Sequence, residues 1–177
     1  YTSGLAVSDD LFVLNSFSKF FGMTGWRLGW VVIPENATEG FTKLAQNLVI
    51  SPSSIAQNAA LEAFSEESMI VHRQRADEFS LRAKQLAAGL RNLGFAIPVM
   101  PAGAFYLYVD VAHTGMPSDE FCWRLIEEYQ VAVTPGKDFG NFESDRFVRF
   151  AYTTDMASID LGLERIGQAL AAWGISR

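Results

Sequence analysis

The chain has 177 residues, of which 49% are apolar and 13% aromatic, and its net charge is −6. This length and composition predict one domain or two small ones with a real core, and they exclude extensive disorder. The acidic balance argues against a nucleic-acid binder, and no apolar run reaches the roughly 20 residues that a membrane span requires. We therefore expect neither a nucleic acid nor a membrane as a partner.

Cysteine and histidine are scarce in this sequence. Cys122 is the only cysteine, which excludes an internal disulfide and fits a reducing compartment, so we expect a cytoplasmic protein. His72 and His113 stand far apart without neighbours at ligand spacing, and the sequence predicts no metal site. We interpret both histidines as surface or hydrogen-bonded structural residues.

The first third of the chain is predicted to contain two strands, a loop and a helix. Residues 11–15 and 28–33 are short apolar runs without a polar face, a pattern typical of an α/β sheet covered on both sides. A capping-box pattern that starts at Ser54 begins an alanine-rich helix, which we expect to continue to about Phe64.

A long helix is predicted over residues 68–93. Its apolar residues recur at steps of three and four and end at Gly94: Ala76, Phe79, Ala83, Leu86, Leu90 and Leu93. Such a helix is about 39 Å long, more than a compact domain of this size needs, so we interpret it as a connection between two domains.

Short strands and two helices follow Gly94, which predicts a small α+β domain. The strands are expected at residues 105–109, 131–133 and 147–152. A helix that starts near Pro117 is expected to bury Phe121, Cys122, Leu125, Ile126 and Tyr129. The last helix carries Ile159, Leu163, Ile166, Leu170 and Trp173 in register.

The most informative segment is residues 16–29, Ser-Phe-Ser-Lys-Phe-Phe-Gly-Met-Thr-Gly-Trp-Arg-Leu-Gly. Lys19 lies among three phenylalanines, and an amine shielded from water is a better nucleophile. Ser16 and Arg27 offer a hydroxyl and a guanidinium that suit a phosphate dianion. A single lysine is more often a solvated loop residue, and the glycine spacing differs from that of a dinucleotide-binding turn.

This segment resembles the lysine signature of the class I/II aminotransferases, the fold-type I or aspartate aminotransferase superfamily. The resemblance implies pyridoxal 5'-phosphate (PLP) as cofactor and Lys19 as the catalytic residue, which forms a Schiff base with the PLP aldehyde. It also implies that Ser16 and Arg27 hold the PLP phosphate and that Ser18 borders the cofactor site.

Arg149 is the second informative residue. In a strand it shares one side with Phe147 and Ala151, and composition alone favours an edge strand whose arginine reaches water. The sequence Phe-Val-Arg-Phe-Ala-Tyr, however, resembles the family's small-domain strand. That resemblance implies that Arg149 binds the α-carboxylate of the substrate.

Further segments resemble the same family in the expected order, so the resemblance covers essentially the whole chain. They are Gln57–Ala60, Pro101–Tyr106, Val131–Gly136 and Phe139–Gly140. The family is about twice this length, and the carboxylate that pairs with the PLP ring nitrogen precedes the lysine by more than this chain supplies. We therefore expect a carboxy-terminal fragment with negligible activity alone.

The resemblance also implies an architecture. Residues 1–67 would be the C-terminal part of a large parallel-sheet domain, residues 68–93 the interdomain helix, and residues 94–177 a small α+β domain. The expected protein is a homodimer that transfers an amino group between an amino acid and a 2-oxo acid. A C–S lyase or other PLP chemistry on this fold, and a non-catalytic interaction domain, remain as alternatives. The sequence does not identify the substrate.

Overall fold

A computed structural model describes residues 2–175. Tyr1, Ser176 and Arg177, which the predicted domains include, lie outside the described residues. The chain separates into two compact units, Tyr1–Ala76 (unit 1) and Asp77–Arg177 (unit 2). In chain order the strands and α-helices are β1 (Val13–Ser16), β2 (Gly29–Val32), α1 (Thr38–Leu48), α2 (Ser54–Glu62), α3 (Glu66–Asn92), β3 (Tyr106–Asp110), α4 (Ser118–Tyr129), β4 (Thr134–Pro135), β5 (Phe147–Ala151) and α5 (Met156–Ala172). Short 3-10 turns lie at Gly4–Ala6, Thr24–Trp26, Glu35–Ala37, Ala112–Thr114, Gly136–Phe139 and Ser144–Arg146.

The two strands of unit 1 form one antiparallel pair. Both were expected from their apolar runs, and a mostly parallel sheet can carry an antiparallel pair at its edge. The expectation that both faces are covered is wrong for the described residues, because Leu14 is 78% exposed and Val32 37% exposed. Residues 2–76 do not contain the further strands and helices that would cover these faces.

Helix α1 is not among the predicted elements, although Phe41, Leu44 and Leu48 recur at the helical steps of three and four. Helix α2 begins at Ser54, one residue earlier than the capping-box pattern predicts, and its N-cap is Ser53. Ser53 has a non-helical backbone, and its Oγ accepts a hydrogen bond from the Ala56 N–H at 3.3 Å. Because a capping residue lies just outside the helix, the capping pattern starts one residue earlier than predicted.

Helix α3 confirms the predicted long helix, and the division between the two units falls within it. Its apolar stripe is buried from Ala83 to Leu93, whereas Ala76 is exposed. Gly94 follows the helix with a φ of 92°, a left-handed backbone that glycine adopts without strain. In the part of the chain that the structure describes, no helix is long and apolar enough to cross a membrane.

Unit 2 is built on a three-stranded antiparallel sheet in the order β3-β5-β4. Val148 and Phe150 on the central strand β5 are 0% and 3% exposed and face the core. The main core residues come from this sheet, from Tyr152 directly after β5 and from helices α3, α4 and α5: Leu86, Leu90, Leu107, Val109, Phe121, Leu125, Ile166 and Leu170. This arrangement confirms the α+β fold predicted for the C-terminal part of the chain.

Two details of unit 2 differ from the sequence prediction. Residues 131–133 do not form a strand: the Val131 N–H donates to the Leu125 carbonyl at 3.1 Å, so this segment completes the end of α4. Strand pairing starts only at Thr134. Ile126 was expected to be buried but is 45% exposed, because the apolar face of α4 is narrower than its sequence suggests.

Cys122 lies on the buried face of α4 and is 7% exposed. Burial, together with the nearby carboxylates of Asp119 and Asp138, raises the pKa of the Cys122 thiol to about 12. The thiol is therefore protonated at neutral pH.

Leu90 tests the core of unit 2, since its side chain is fully buried. Leu90→Ala removes apolar contacts and leaves a cavity, so we expect the free energy of unfolding to fall by about 2–5 kcal/mol. The control is Leu81→Ala on the same helix, where the side chain is 58% exposed and the expected change is within about 0.5 kcal/mol. Chemical denaturation measures both, and equal losses would contradict this description of the core.

Candidate functional site

Residues 16–29, which we call the lysine loop, connect β1 to β2. The antiparallel pairing places Ser16 opposite Gly29, and the Phe17 N–H donates to the Leu28 carbonyl at 3.1 Å. Because the loop leaves and enters the sheet at adjacent positions, its two ends are held side by side. This brings Ser16 and Arg27, which are far apart in the loop sequence, to the same end of the loop.

Hydrogen bonds inside the loop fix its path. The Met23 N–H donates to the Phe17 carbonyl at 3.0 Å, and the Gly22 N–H donates to the Lys19 carbonyl at 3.0 Å. The Thr24 hydroxyl donates to the Ser18 carbonyl at 2.6 Å. Lys19 therefore lies in a tight turn, and Gly22, with a φ of 67°, provides the left-handed residue that this turn requires.

The polar side chains of the loop are also held locally. Ser16 Oγ accepts a hydrogen bond from the Ser18 N–H at 3.0 Å, which leaves the serine hydroxyl hydrogen able to donate elsewhere. Arg27 Nη1 donates to the Thr24 carbonyl at 3.1 Å. The Arg27 backbone has a φ of 53° and a ψ of 48°, a left-handed conformation that costs a non-glycine residue roughly 1–3 kcal/mol. Such strain is typical of functional sites.

Phe17 and Phe21 of the loop pack inward, whereas Phe20 is 45% exposed. Phe17 is 7% exposed, and its ring contacts those of Phe21 and Phe64 at centroid distances of 5.0 and 5.7 Å. Lys19 is exposed. The expectation that these rings shield the Lys19 amine from water is wrong for the described chain, because Lys19 and its neighbour Phe20 are both exposed.

His72 belongs to the same aromatic cluster, which sequence reasoning did not find. Its ring lies 5.4 Å from that of Phe20 and 5.5 Å from that of Phe21, and it is 6% exposed. Neither ring nitrogen has a hydrogen-bond partner among the described residues. The interpretation of His72 as a surface or hydrogen-bonded residue is therefore wrong, and no sequence pattern links it to a loop some fifty positions earlier.

The donor set of the lysine loop suits the phosphate and aldehyde of PLP. Residues 16–29 contain a lysine and an arginine but no aspartate or glutamate. Ser16, Lys19 and Arg27 are all exposed, and no described carboxylate pairs with Arg27. Serine O–H and arginine N–H groups without a competing acid are the donors that a phosphate dianion requires, and a primary amine is the group that condenses with an aldehyde.

Arg149 lies in unit 2, on the face of β5 that points away from the core. Its neighbours across the sheet are Tyr108 on β3 and Thr134 on β4, and Nη2 donates to Thr134 Oγ1 at 3.2 Å. Because β5 is the central strand, the alternative of an edge-strand arginine is wrong. Its Nε atom is buried without a hydrogen-bond partner in the described residues, and none of their carboxylates pairs with it.

The structure thus places the predicted residues in two groups. Ser16, Ser18, Lys19 and Arg27 share one loop of unit 1, and Arg149 lies in unit 2. Thr24, which hydrogen-bonds to both Ser18 and Arg27, was not predicted, although its place in the loop sequence could have suggested a structural role. Within residues 2–175 no group of three or more His, Cys, Asp or Glu side chains is placed to hold a metal ion.

Gly29 tests how the loop is closed. A Cβ at this position would lie 2.6 Å from the Asn15 carbonyl oxygen, so Gly29→Ala must displace backbone. We expect the free energy of unfolding to fall by roughly 1–3 kcal/mol. Gly25→Ala in the same loop is the control, because a Cβ there meets nothing within 4 Å. Thermal unfolding compares the two variants, and an unchanged midpoint for Gly29→Ala would contradict the observed pairing.

Known proteins resemble this chain over nearly its whole length. The family model "Aminotransferase class I and II" matches residues 2–166. The valine–pyruvate aminotransferase of Mycobacterium tuberculosis is 35% identical over 163 residues, which are 92% of this chain and 42% of that protein. An aspartate aminotransferase of Pyrococcus horikoshii is 36% identical over 92% of this chain and 41% of its own length.

Solved structures agree with these matches. A crystal structure of an aminotransferase from Mycobacterium tuberculosis has a TM-score of 0.93 and 34% identity, covering 97% of this chain and 44% of that one. The aromatic aminotransferase of Pyrococcus horikoshii OT3 has a TM-score of 0.86 and 32% identity over 93% and 44% of the two chains. The chain spans less than half the length of these relatives. It has the fold-type I architecture in part, and it belongs to the class I and II aminotransferase family.

Proposed function

We propose that this chain supplies the lysine, phosphate-binding and carboxylate-binding residues of a PLP-dependent aminotransferase. The activity would belong to a protein of the family's full length, which joins residues 16–29 and Arg149 to the parts that this chain does not span. The observation that carries the proposal is the closed lysine loop, which presents an amine, a hydroxyl and a guanidinium without any acidic residue.

In this proposal the lysine loop holds the cofactor. Arg27 and Ser16 bind the PLP phosphate with charge-assisted hydrogen bonds, and Ser18 borders the same site. Lys19 would hold the cofactor through its Nζ atom, and its free amine would move a proton at the substrate Cα atom as general base and acid. PLP supplies the electron-accepting ring that makes this proton acidic.

Arg149 would bind the α-carboxylate of an amino acid or a 2-oxo acid. A bidentate arginine fixes the plane of a carboxylate as well as its position, which orients the Cα–H bond for proton removal. The charge of Arg149 is not matched by any described carboxylate, so an anionic substrate meets no competing acid. The related proteins named above are aminotransferases, which favours amino-group transfer over C–S bond cleavage and over a non-catalytic role.

Domain roles, assembly and location belong to the same proposal. Residues 1–67 would be part of the large domain, residues 68–93 the interdomain helix, and residues 94–177 the small domain. A homodimer is supported by apolar side chains that unit 1 leaves exposed, such as Leu48 (79%) and Ile50 (83%). A cytoplasmic location is supported by the single cysteine, which requires no oxidising compartment.

Lys19 is tested by covalent labelling in a protein of family length that carries this chain. Borohydride reduction of the PLP-loaded protein, followed by peptide mapping, should place the label on Lys19. Lys19→Ala should abolish both the label and the visible absorption of the bound cofactor. Lys43→Ala is the control, since Lys43 is exposed and pairs with Glu39 at 2.6 Å. A label on any other lysine would refute the assignment.

Arg149 is tested by kinetics in the same protein. Arg149→Gln removes a charged donor from the carboxylate, a loss of about 1.5–3 kcal/mol that should raise KM roughly 10- to 100-fold. The affinity for PLP should not change, because the cofactor residues lie on the lysine loop. Arg91→Gln, at an exposed position near the end of α3, should leave KM unaltered. An unchanged KM in Arg149→Gln, or a loss of PLP, would contradict the proposed role.

A further inference from the structure

The surroundings of Arg149 contain more than a hydrogen-bond partner. Its guanidinium carbon lies 4.8 Å from the centroid of the Phe139 ring and 5.5 Å from that of the Tyr106 ring. Both distances are within the range of a cation–π interaction, in which the electron-rich face of a ring attracts a cation. The two rings come from different elements, since Tyr106 begins β3 and Phe139 ends a 3-10 turn.

The ring of Phe139 is held by further aromatic contacts. It meets the Tyr108 ring edge to face at 6.2 Å, and Tyr108 in turn stacks on Phe147 at 4.9 Å. Tyr108 lies directly opposite Arg149 in the sheet, and Phe147 shares the strand of Arg149. The outer face of the sheet therefore carries a row of aromatic side chains with one arginine among them.

The turn that carries Phe139, residues 136–139, is anchored to α4 and to the turn before β5. Lys137 Nζ lies 2.9 Å from Asp119 and 2.8 Å from Asp145. A Cβ at Gly136 would lie 2.7 Å from the Phe147 carbonyl oxygen, so backbone packs directly on backbone here. Phe139 is thus presented from a fixed position even though its ring is 50% exposed.

We propose that Phe139 and Tyr106 are positioning residues that fix the guanidinium of Arg149 for carboxylate binding. This inference rests on the proposed function of Arg149 as the substrate-carboxylate ligand. The rings attract the cation without carrying a negative charge, so they hold it without neutralising it. An aspartate in the same place would hold the guanidinium equally well but would compete with the substrate carboxylate for its N–H groups.

The test compares Phe139 variants in the PLP-loaded protein of family length. Phe139→Leu keeps an apolar side chain but removes the π face, and Phe139→Tyr keeps the face. We expect Phe139→Leu to raise KM for the amino acid and the Kd for pyruvate, measured by calorimetry, about 3- to 30-fold with kcat little changed. Phe139→Tyr should restore most of the affinity. Phe142→Leu, where the side chain is 88% exposed, is the matched control.

A second measurement does not depend on activity. Nitrogen relaxation of isotope-labelled arginine reports the mobility of the Arg149 Nε–H group, and we expect mobility to rise in Phe139→Leu but not in Phe142→Leu. Tyr106→Leu should have the same effect, and Tyr106→Phe should not, which provides a second pair if a Phe139 variant fails to fold.

The outcomes separate the two proposals. Unchanged mobility and unchanged pyruvate affinity in both leucine variants would overturn the positioning role, as would equal losses in Phe139→Leu and Phe139→Tyr. If mobility rises as expected but neither pyruvate binding nor amino-group transfer is found in the unsubstituted protein, the proposed function fails while the positioning role stands.

Discussion

The backbone pairing of Ser16 with Gly29 is the constraint on which the lysine loop depends. It closes a loop of fourteen residues with a few hydrogen bonds, and it brings the Ser16 hydroxyl and the Arg27 guanidinium to the same end of that loop. Side chains contribute less than the backbone, because four hydrogen bonds within the described loop join backbone groups and three involve the side chains of Ser16, Thr24 and Arg27. The side chains of Ser16, Lys19 and Arg27 are therefore left exposed, while Phe17 and Phe21 pack together and help to keep the loop in place.

Arg27 in unit 1 and Arg149 in unit 2 are both held without an acidic partner among the described residues, but in different ways. Arg27 is held by its own backbone, which adopts a left-handed conformation, and by one bond to the Thr24 carbonyl. Arg149 is held between two rings and a threonine hydroxyl. Neither is paired with a described carboxylate, so each guanidinium is fixed in place while its charge remains available. For Arg149, whose Nε atom is buried without a hydrogen-bond partner in the described residues, leaving the charge unpaired costs stability, as is typical of a site that receives an anion.

Sequence patterns predicted the elements better than they predicted burial. The long helix α3, the arginine strand β5 and the alternation that turns Arg149 away from Val148 and Phe150 all follow from periodicity within one segment. The exposure of Leu14 and of Lys19 does not follow from periodicity within one segment, because burial depends on which other segments cover a residue. The same limit applies to the site. A resemblance carried by short motifs predicted the site residues Ser16, Lys19, Arg27 and Arg149. The contacts of His72, Thr134 and Phe139 were not predicted, because they join residues that are distant in the chain.

The buried thiol of Cys122 can report when the packing of unit 2 opens. Alkylating reagents react with the thiolate form of cysteine. Because the Cys122 side chain is buried and protonated, it does not react with them while helix α4 stays packed. Modification must then wait for that packing to open, and its rate measures how often this happens. Since the sequence contains no second cysteine, alkylation adds the mass of a single reagent molecule to this chain. The rate of that mass increase would report the opening of the small sheet and its helices without any engineered label.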